Sequence, residues 1–400
     1  LLRKKKEAQT LSKRILDQGE TVMAKVVVIG GGFAGVVAAE SLAQRLGPEH
    51  QVKLVSRQQD FTFFPALVRL AFGQCRLEDV FFDLPEAMLS RRIDFVRAEI
   101  AYPDPRERCV VIPRGPRGKY ESRLPYDYLV FALGRRLATE RVKGFYDNAH
   151  HLLTTGSALR FGEAVKSFHQ GRAVIGYCRE ARLAVPVFET AFALDRLLRA
   201  RGERDHAQIT MVSPEKLGGQ MGGEAVAPAL QAALDEHGIE FIPDFPIDLA
   251  TAKEVWTESN QRMAYDLLML LPPFGGPREA LRAAITDSNG YVRVDRHLRV
   301  AGEDRIYAAG DCVNLPGPKM GHMAVLQGEV AAANLAAEIA GREPVAGYDH
   351  ELMAVVDSGD EHSLYVHKKL WEQSEPGVRQ GYFWGWAKQA QRRYWQRTHS

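Results

Sequence analysis

The sequence predicts an α/β protein of two parallel-sheet units, the second inserted in the first, followed by a C-terminal amphipathic helical tail. Three observations lead there. Residues 24–46, AKVVVIGGGFAGVVAAESLAQRL, run from a short apolar strand through a glycine-rich turn into a helix. Two more apolar strands end in glycine far along the chain, YDYLVFALG (126–134) and DRIYAAGDCVN (304–314). Between them strands and helices alternate again, the pattern of another parallel unit. The expected boundaries are an extension over 1–23, a first unit over 24–152 and 269–345, an insertion over 153–268, and a tail over 346–400.

Composition narrows the classes. Four hundred residues allow two or three domains with a substantial core, and 46% of them are apolar. The net charge of +2 gives no reason to expect nucleic acid as a partner. No apolar run approaches the roughly 18 residues that a membrane-spanning helix needs. The basic stretch LLRKKKEAQTLSKRILDQGETV lacks the continuous apolar segment of a secretory signal, and Met23 is an alternative start. Cys75, Cys109, Cys178 and Cys312 show no CxxC spacing, so neither a metal site nor a disulfide framework is expected and a reducing, cytoplasmic compartment fits.

Gly30, Gly32 and Gly35 have GxGxxG spacing between a strand and a helix. Gly30 permits the tight turn, Gly32 lets a pyrophosphate approach the backbone, and Gly35 lets helix and strand pack closely. Phe33 and Ala34 open the helix, whose N-terminus faces the phosphates. This is the fingerprint of a Rossmann-like dinucleotide-binding domain. The next strand, QVKLVS, ends in Ser56 and Arg57 rather than the usual acidic residue. A serine can still hydrogen-bond a ribose, and an arginine can lie beside adenine or phosphate.

In the insertion, AVIGYCREARLAVPVFETAFALDRLL (173–198) sits where a second glycine fingerprint belongs, yet only Gly176 is present. A bulky residue stands where backbone would approach a pyrophosphate, and Glu180 adds negative charge. Docking of NADH in the usual mode is therefore disfavoured. Cys178, near Arg179 and Arg182 at a strand-to-helix turn, is read either as a thiol of lowered pKa with a redox role or as a spectator. The loop KLGGQMGG (216–223) reads as flexible, and Cys312 as a small buried residue.

The three ordered motifs over residues 24 to 345 resemble the flavoprotein disulfide reductase superfamily with two dinucleotide-binding domains. That resemblance implies FAD in the first unit, with Gly310 and Asp311 on the ribityl chain and Ala98, Ala132 and Gly134 at bordering strand ends. FTFFPALVRLAFG (61–73) resembles a segment of sulfide:quinone oxidoreductases and type II NADH dehydrogenases, which places Pro65 near the isoalloxazine and the quinone. GPKMGHMAVLQGEVAAANLAAEIAG (317–341) resembles both branches, with Lys319 as a catalytic and flavin-binding cation and His322 and Gln327 at the quinone. Its helix dipole would favour an anionic reduced flavin. Glu189 resembles a glutamate that both branches place near flavin or nucleotide; if buried, it suits proton transfer, and if not, it is a surface residue. Ser56 and the missing second fingerprint favour the sulfide:quinone branch. That branch's redox cysteines would fall near 151–157, Leu183 and 351–359, where this chain has none.

The tail holds four of the five tryptophans, and from 362 onward seven Lys/Arg face two Glu. Helical spacing lines up Phe383, Ala387, Ala390 and Tyr394 on one face, Trp384, Gln391 and Trp395 beside it, and Lys388, Arg392 and Arg393 mainly opposite. A helix of this kind suits a membrane interface, with a dimer contact or a cap on the core as the alternative. The expected protein is a monotopic FAD oxidoreductase, peripheral on the inner face of the cell membrane, passing two electrons from a sulfide-like reductant to quinone. A type II NADH:quinone dehydrogenase and a flavoprotein scaffold or partner subunit without its own turnover are the rivals. Homo-oligomerisation, the donor and the quinone type stay open.

Overall fold

The computed structural model describes residues 23–115 and 118–400. The expected extension over 1–23 therefore lies, but for Met23, outside the described residues. In chain order the first unit supplies β1 (Lys25–Ile29), α1 (Phe33–Arg45), β2 (Gln51–Ser56), β3 (Asp94–Arg97) and β4 (Tyr128–Phe131). The insertion supplies β5 (Gly171–Tyr177), α2 (Val185–Arg201), β6 (Ala207–Val212), β7 (Glu240–Ile242) and β8 (Leu267–Leu271). The chain then returns with β9 (Ile306–Ala308) and α3 (Gly321–Ile339).

The first sheet has the order β9-β4-β1-β2-β3 and every pairing in it is parallel. Val26, Val27, Val28 and Ile29 are all buried, as expected for a parallel strand covered on both faces. The second sheet, β7-β6-β5-β8, is also parallel. Its last strand spans the expected 268/269 boundary, so the inserted sheet is complete only at Leu271. Residues before the insertion lean on it as well: Lys143 bridges to Leu249 and His150 to Met269. The GGQMGG stretch forms a short 3-10 turn (Gly219–Met221) with Met221 buried, and Lys368 Nζ donates to the Gly222 carbonyl at 2.8 Å. Packing thus orders a segment whose glycines alone suggest flexibility.

The tail is more than a helix. An antiparallel sheet of β10 (Glu351–Val356), β11 (Leu364–Lys369) and β12 (Gly377–Gln380) precedes α4 (Tyr382–His399). The alternation of buried and half-exposed residues in ELMAVV is the signature of a one-sided strand. Helix α4 turns its basic face toward the protein and most of its aromatic residues outward. Lys388 and Arg392 turn inward, to Glu189 and Asp79. Phe383, Trp386 and Tyr394 are 59%, 64% and 66% exposed. Trp395 alone among the helix's large aromatics is buried, at 7% exposure, with its ring centroid 4.8 Å from Phe33 and 5.6 Å from Phe61. Replacing Trp395 with alanine is expected to cost about 3–5 kcal/mol, by loss of buried ring area and the cavity left behind. Chemical denaturation followed by tryptophan fluorescence and circular dichroism measures it.

Candidate active site

Helix α1 opens at Gly32 with no side-chain cap and no acidic residue in its first turn. Its free N–H groups therefore point at open space, a ready anion site. A β-carbon on Gly32 would meet nothing within 4 Å. At Gly30 (φ +114°) it would lie 2.1 Å from the Ala132 carbonyl oxygen, and at Gly35 1.8 Å from that of Gly30. Gly310 (φ +87°) is pressed against Ala34, and Gly134 (φ +72°) is open. Thus Gly30–Gly35, Ala132–Gly134 and Gly310–Asp311 converge at the carboxyl ends of β1, β4 and β9. Ser56 is buried at the end of β2, beside Gly31, and its carbonyl accepts the Ala98 amide at 2.9 Å. Arg57 instead points to solvent and pairs loosely with Glu99 at 3.6 Å. An uncapped helix start, free space over two glycines and a strand-end hydroxyl fit a dinucleotide such as FAD.

Asp311 is paired with Arg135, a residue the motif reading missed. The Arg135 guanidinium lies 4.2 Å from the Phe274 ring centroid, and its Nε is buried without a hydrogen-bond partner. Lys319 is 5% exposed; its Nζ donates to the Val313 carbonyl at 2.6 Å and sits 5.0 Å from the Tyr291 ring centroid. Burial, helped by Arg182, pushes its pKa down to about 7. Arg182 ties down the loop before α3, donating to the carbonyls of Gly317 at 2.6 Å and of Leu315. No local signal marks Arg135, Arg182 or Tyr291 as neighbours of the Gly310–Asp311 turn, because each arrives from a distant segment.

Pro65 stands half-buried on a 3-10 turn (Phe64–Ala66). It lines a small cavity of about 30 Å³ together with Val68, Glu189, Lys388 and Arg392. Glu189 is buried on α2; it accepts the Asp357 amide at 2.8 Å and pairs with Lys388. Burial raises its pKa against the opposing pull of Lys388. His322 and Gln327 do not reach this cavity. His322 faces Glu351 at 3.8 Å, and burial lowers its pKa. Gln327 Oε1 accepts the Gly310 amide at 2.7 Å, so its polar group is spent on holding the Gly310–Asp311 turn. Neither lines the cavity beside Pro65.

Cys178 is corrected outright. It is 0% exposed, packed among Val142, Val174, Val212 and Leu270, and burial pushes its thiol up to about 12. The flanking arginines do not help it: Arg179 pairs with Glu258 at 3.1 Å and Arg182 points to backbone carbonyls. Cys312 is buried likewise, its Sγ 3.2 Å from the Ala309 carbonyl oxygen. At the second strand end a β-carbon on Gly176 would lie 2.5 Å from Val212. The Tyr177 hydroxyl is engaged by Ser213 at 2.8 Å and by Glu215 at 3.3 Å. Residues 178–184 separate β5 from α2, and Glu180 is paired with Arg141.

Two outcomes follow from this geometry. Gly32→Val places a side chain in free space at an ordinary φ of −90°, so the protein is expected to fold normally yet lose FAD, read from the ratio of visible to ultraviolet absorbance. Lys319 has a folded pKa near 7 against 10.5 for a free lysine, so unfolding takes up a proton between those values. Stability of the FAD-free protein therefore rises from about pH 7 toward 10.5. Lys319→Met is expected to flatten that rise in urea titrations at pH 7, 8.5 and 10.

The sequence profile of the pyridine nucleotide-disulphide oxidoreductase family matches residues 24–328. The sulfide-quinone reductase of Aquifex aeolicus is 26% identical over 307 residues, covering 74% of this chain and 70% of that one. The demethylphylloquinone reductase of Synechocystis is 26% identical over 300 residues, with coverages of 72% and 71%. The solved sulfide:quinone oxidoreductase of Aquifex aeolicus superposes with a TM-score of 0.84 at 22% identity, over 93% of this chain and 90% of the other. NDH2 of Plasmodium falciparum in complex with NADH gives 0.70 at 12% identity, over 92% and 93%. At such identities the superpositions speak for the fold alone: two parallel-sheet units, one within the other. With the profile spanning three quarters of its length and a cradle shaped for the dinucleotide, the chain belongs to the pyridine nucleotide-disulphide oxidoreductase family and is an FAD-dependent oxidoreductase.

Proposed function

We propose that this protein carries electron pairs from a small, sulfide-like reductant to a quinone at a membrane surface. The observation that carries the reading is the buried Glu189 beside Pro65, walled by the first unit, the insertion and the tail. FAD, held at Gly30–Gly35, Ser56 and Gly310–Asp311, supplies a two-electron carrier. A quinone taking up two electrons also takes up two protons. Glu189 is placed to hold one of them, since its burial favours the protonated carboxyl. Lys388 keeps that carboxyl oriented toward the cavity. Lys319 lies just before α3, whose helix dipole would favour negative charge on a bound flavin.

A pyridine nucleotide is disfavoured as donor by the second strand end. There Tyr177, Ser213 and Glu215 satisfy one another and leave no glycine turn for a pyrophosphate. Cys178 is sealed off, so the donor does not react through that thiol. Two of the relatives are named for quinone reduction, which supports the acceptor side. Among the described residues no helix is long and apolar enough to cross a membrane. The outward face of α4, with Phe383, Trp386, Tyr394 and the exposed Arg393 and Arg397, suits an interfacial contact instead.

Anaerobic mixing tests the donor. Sulfide is expected to bleach the flavin and NADH is not; rapid bleaching by NADH overturns that half of the reading. Reoxidation by added quinone tests the acceptor. In Glu189→Gln the flavin content is expected to hold while the rate of reoxidation by quinone falls about 10²-fold, the usual weight of a positioned proton donor.

A further inference from the structure

We infer that α4 is a latch over the Pro65 cavity and must lift before a quinone ring can enter. The inference rests on the quinone reading above and adds a conformational step to it. The cavity has Pro65 and Val68 as its floor, Glu189 and Arg196 as a wall, and Lys388 and Arg392 as its roof. Its volume is about 30 Å³. A benzene ring is taken up by a cavity of roughly 150 Å³, so this space holds about one water and not a quinone head group. The floor and the wall belong to packed core elements. The roof belongs to one helix, α4.

That helix is fastened by contacts that can be exchanged for water. Lys388 pairs with Glu189. Arg392 Nη1 and Gln396 Nε2 both donate to the Asp79 carbonyl, at 3.0 and 2.7 Å. His399 Nδ1 meets Glu40 Oε2 at 2.6 Å, and Arg91 Nη2 donates to the Thr398 carbonyl at 2.7 Å. Near its free end Trp395 is set against Phe33 and Phe61, and near the pivot Trp384 stacks on Tyr365 of β11 at 4.4 Å. A helix held at its far end mainly by polar contacts, with Trp395 inserted there and Trp384 stacked near the pivot, can swing away from the cavity without opening either parallel sheet. Gly381 (φ +141°) at its start gives the chain a pivot there.

The test uses FAD-loaded protein, photoreduced without oxygen and mixed with decylubiquinone. The design needs no knowledge of the natural donor. In the wild type the observed reoxidation rate is expected to level off with rising quinone, at the rate of lifting. Gln396→Ala with His399→Ala loosens the latch at residues that do not line the cavity. It is expected to raise that plateau about threefold to tenfold, the effect of removing one or two modest hydrogen bonds. Reoxidation by ferricyanide, which needs no seat in the cavity, stays unchanged. His399→Ala alone removes contacts to Glu40 and to the Trp395 ring and none within the sheets, and is expected to give a smaller rise. Hydrogen–deuterium exchange over residues 382–399 gives a second readout, faster in both variants than in the wild type. A plateau unchanged in both variants, or a rate linear in quinone in all three proteins, overturns the latch. A wild type that ferricyanide reoxidises and quinone does not overturns the quinone reading itself.

Discussion

Everything at the candidate site depends on how closely α1 approaches the β1 turn and α3. A β-carbon at Gly35 would run into the Gly30 carbonyl, one at Gly328 would stand 2.6 Å from the Ala34 carbonyl oxygen, and one at Gly310 2.9 Å from the Ala34 side chain. Three positions without side chains therefore let two helices and a turn share one small volume. The consequence is topological. The GxGxxG turn and the Gly310–Asp311 turn lie nearly 280 residues apart in sequence and face the same space. Gln327 then fixes the distant turn through the Gly310 amide. A larger residue at any of the three glycines would separate the two helix N-termini, and with them the two partial positive charges aimed at the dinucleotide.

The first unit was legible in the sequence because its signals are local. An apolar run, three spaced glycines and an amphipathic helix fall within 23 residues, and no distant contact is needed to read them. The Gly310–Asp311 strand end was legible for the same reason. What escaped is what depends on meeting partners from elsewhere. Arg135 neutralises Asp311 across 176 positions, and Arg182 clamps the loop before α3 across 135. Cys178 shows the limit most clearly. Two neighbouring arginines in sequence suggest an activated thiol, yet side chains at a strand end point in different directions. The cysteine goes into the core and the arginines go elsewhere, so desolvation decides its pKa.

Helix α4 shows what the amphipathic rule leaves open. Periodicity sorts residues into faces but does not say which face meets the protein. The surface under α4 offers a buried carboxylate at Glu189, another at Glu40 and the free carbonyl of Asp79. Leaving such acceptors dry and unpaired costs more than leaving three aromatic rings in water, because an uncompensated buried charge is the larger penalty. Lys388, Arg392, Gln396 and His399 are therefore drawn inward, and Trp395 fills what apolar space remains. Phe383, Trp386 and Tyr394 are left outward on the same basic helix.

The two parallel units show how little the fold alone decides. Both place a strand, a turn and a helix in the same order. In the first unit the turn is three glycines and the helix start is uncapped, so hydrogen-bond donors face open space. In the second, the polar groups at the equivalent strand ends are already used: the Tyr177 hydroxyl meets Glu215 and Ser213, and the Ser213 hydroxyl accepts the Glu215 amide at 3.1 Å. A ribose approaching there would have to break satisfied bonds and would gain only their equivalents, while displacing a buried aromatic ring. The insertion thus keeps the architecture of a nucleotide domain with a differently furnished strand end. Through Glu189 and the pairing of His237 with Asp360 at 2.8 Å, it holds the C-terminal segment in place beside the Pro65 cavity.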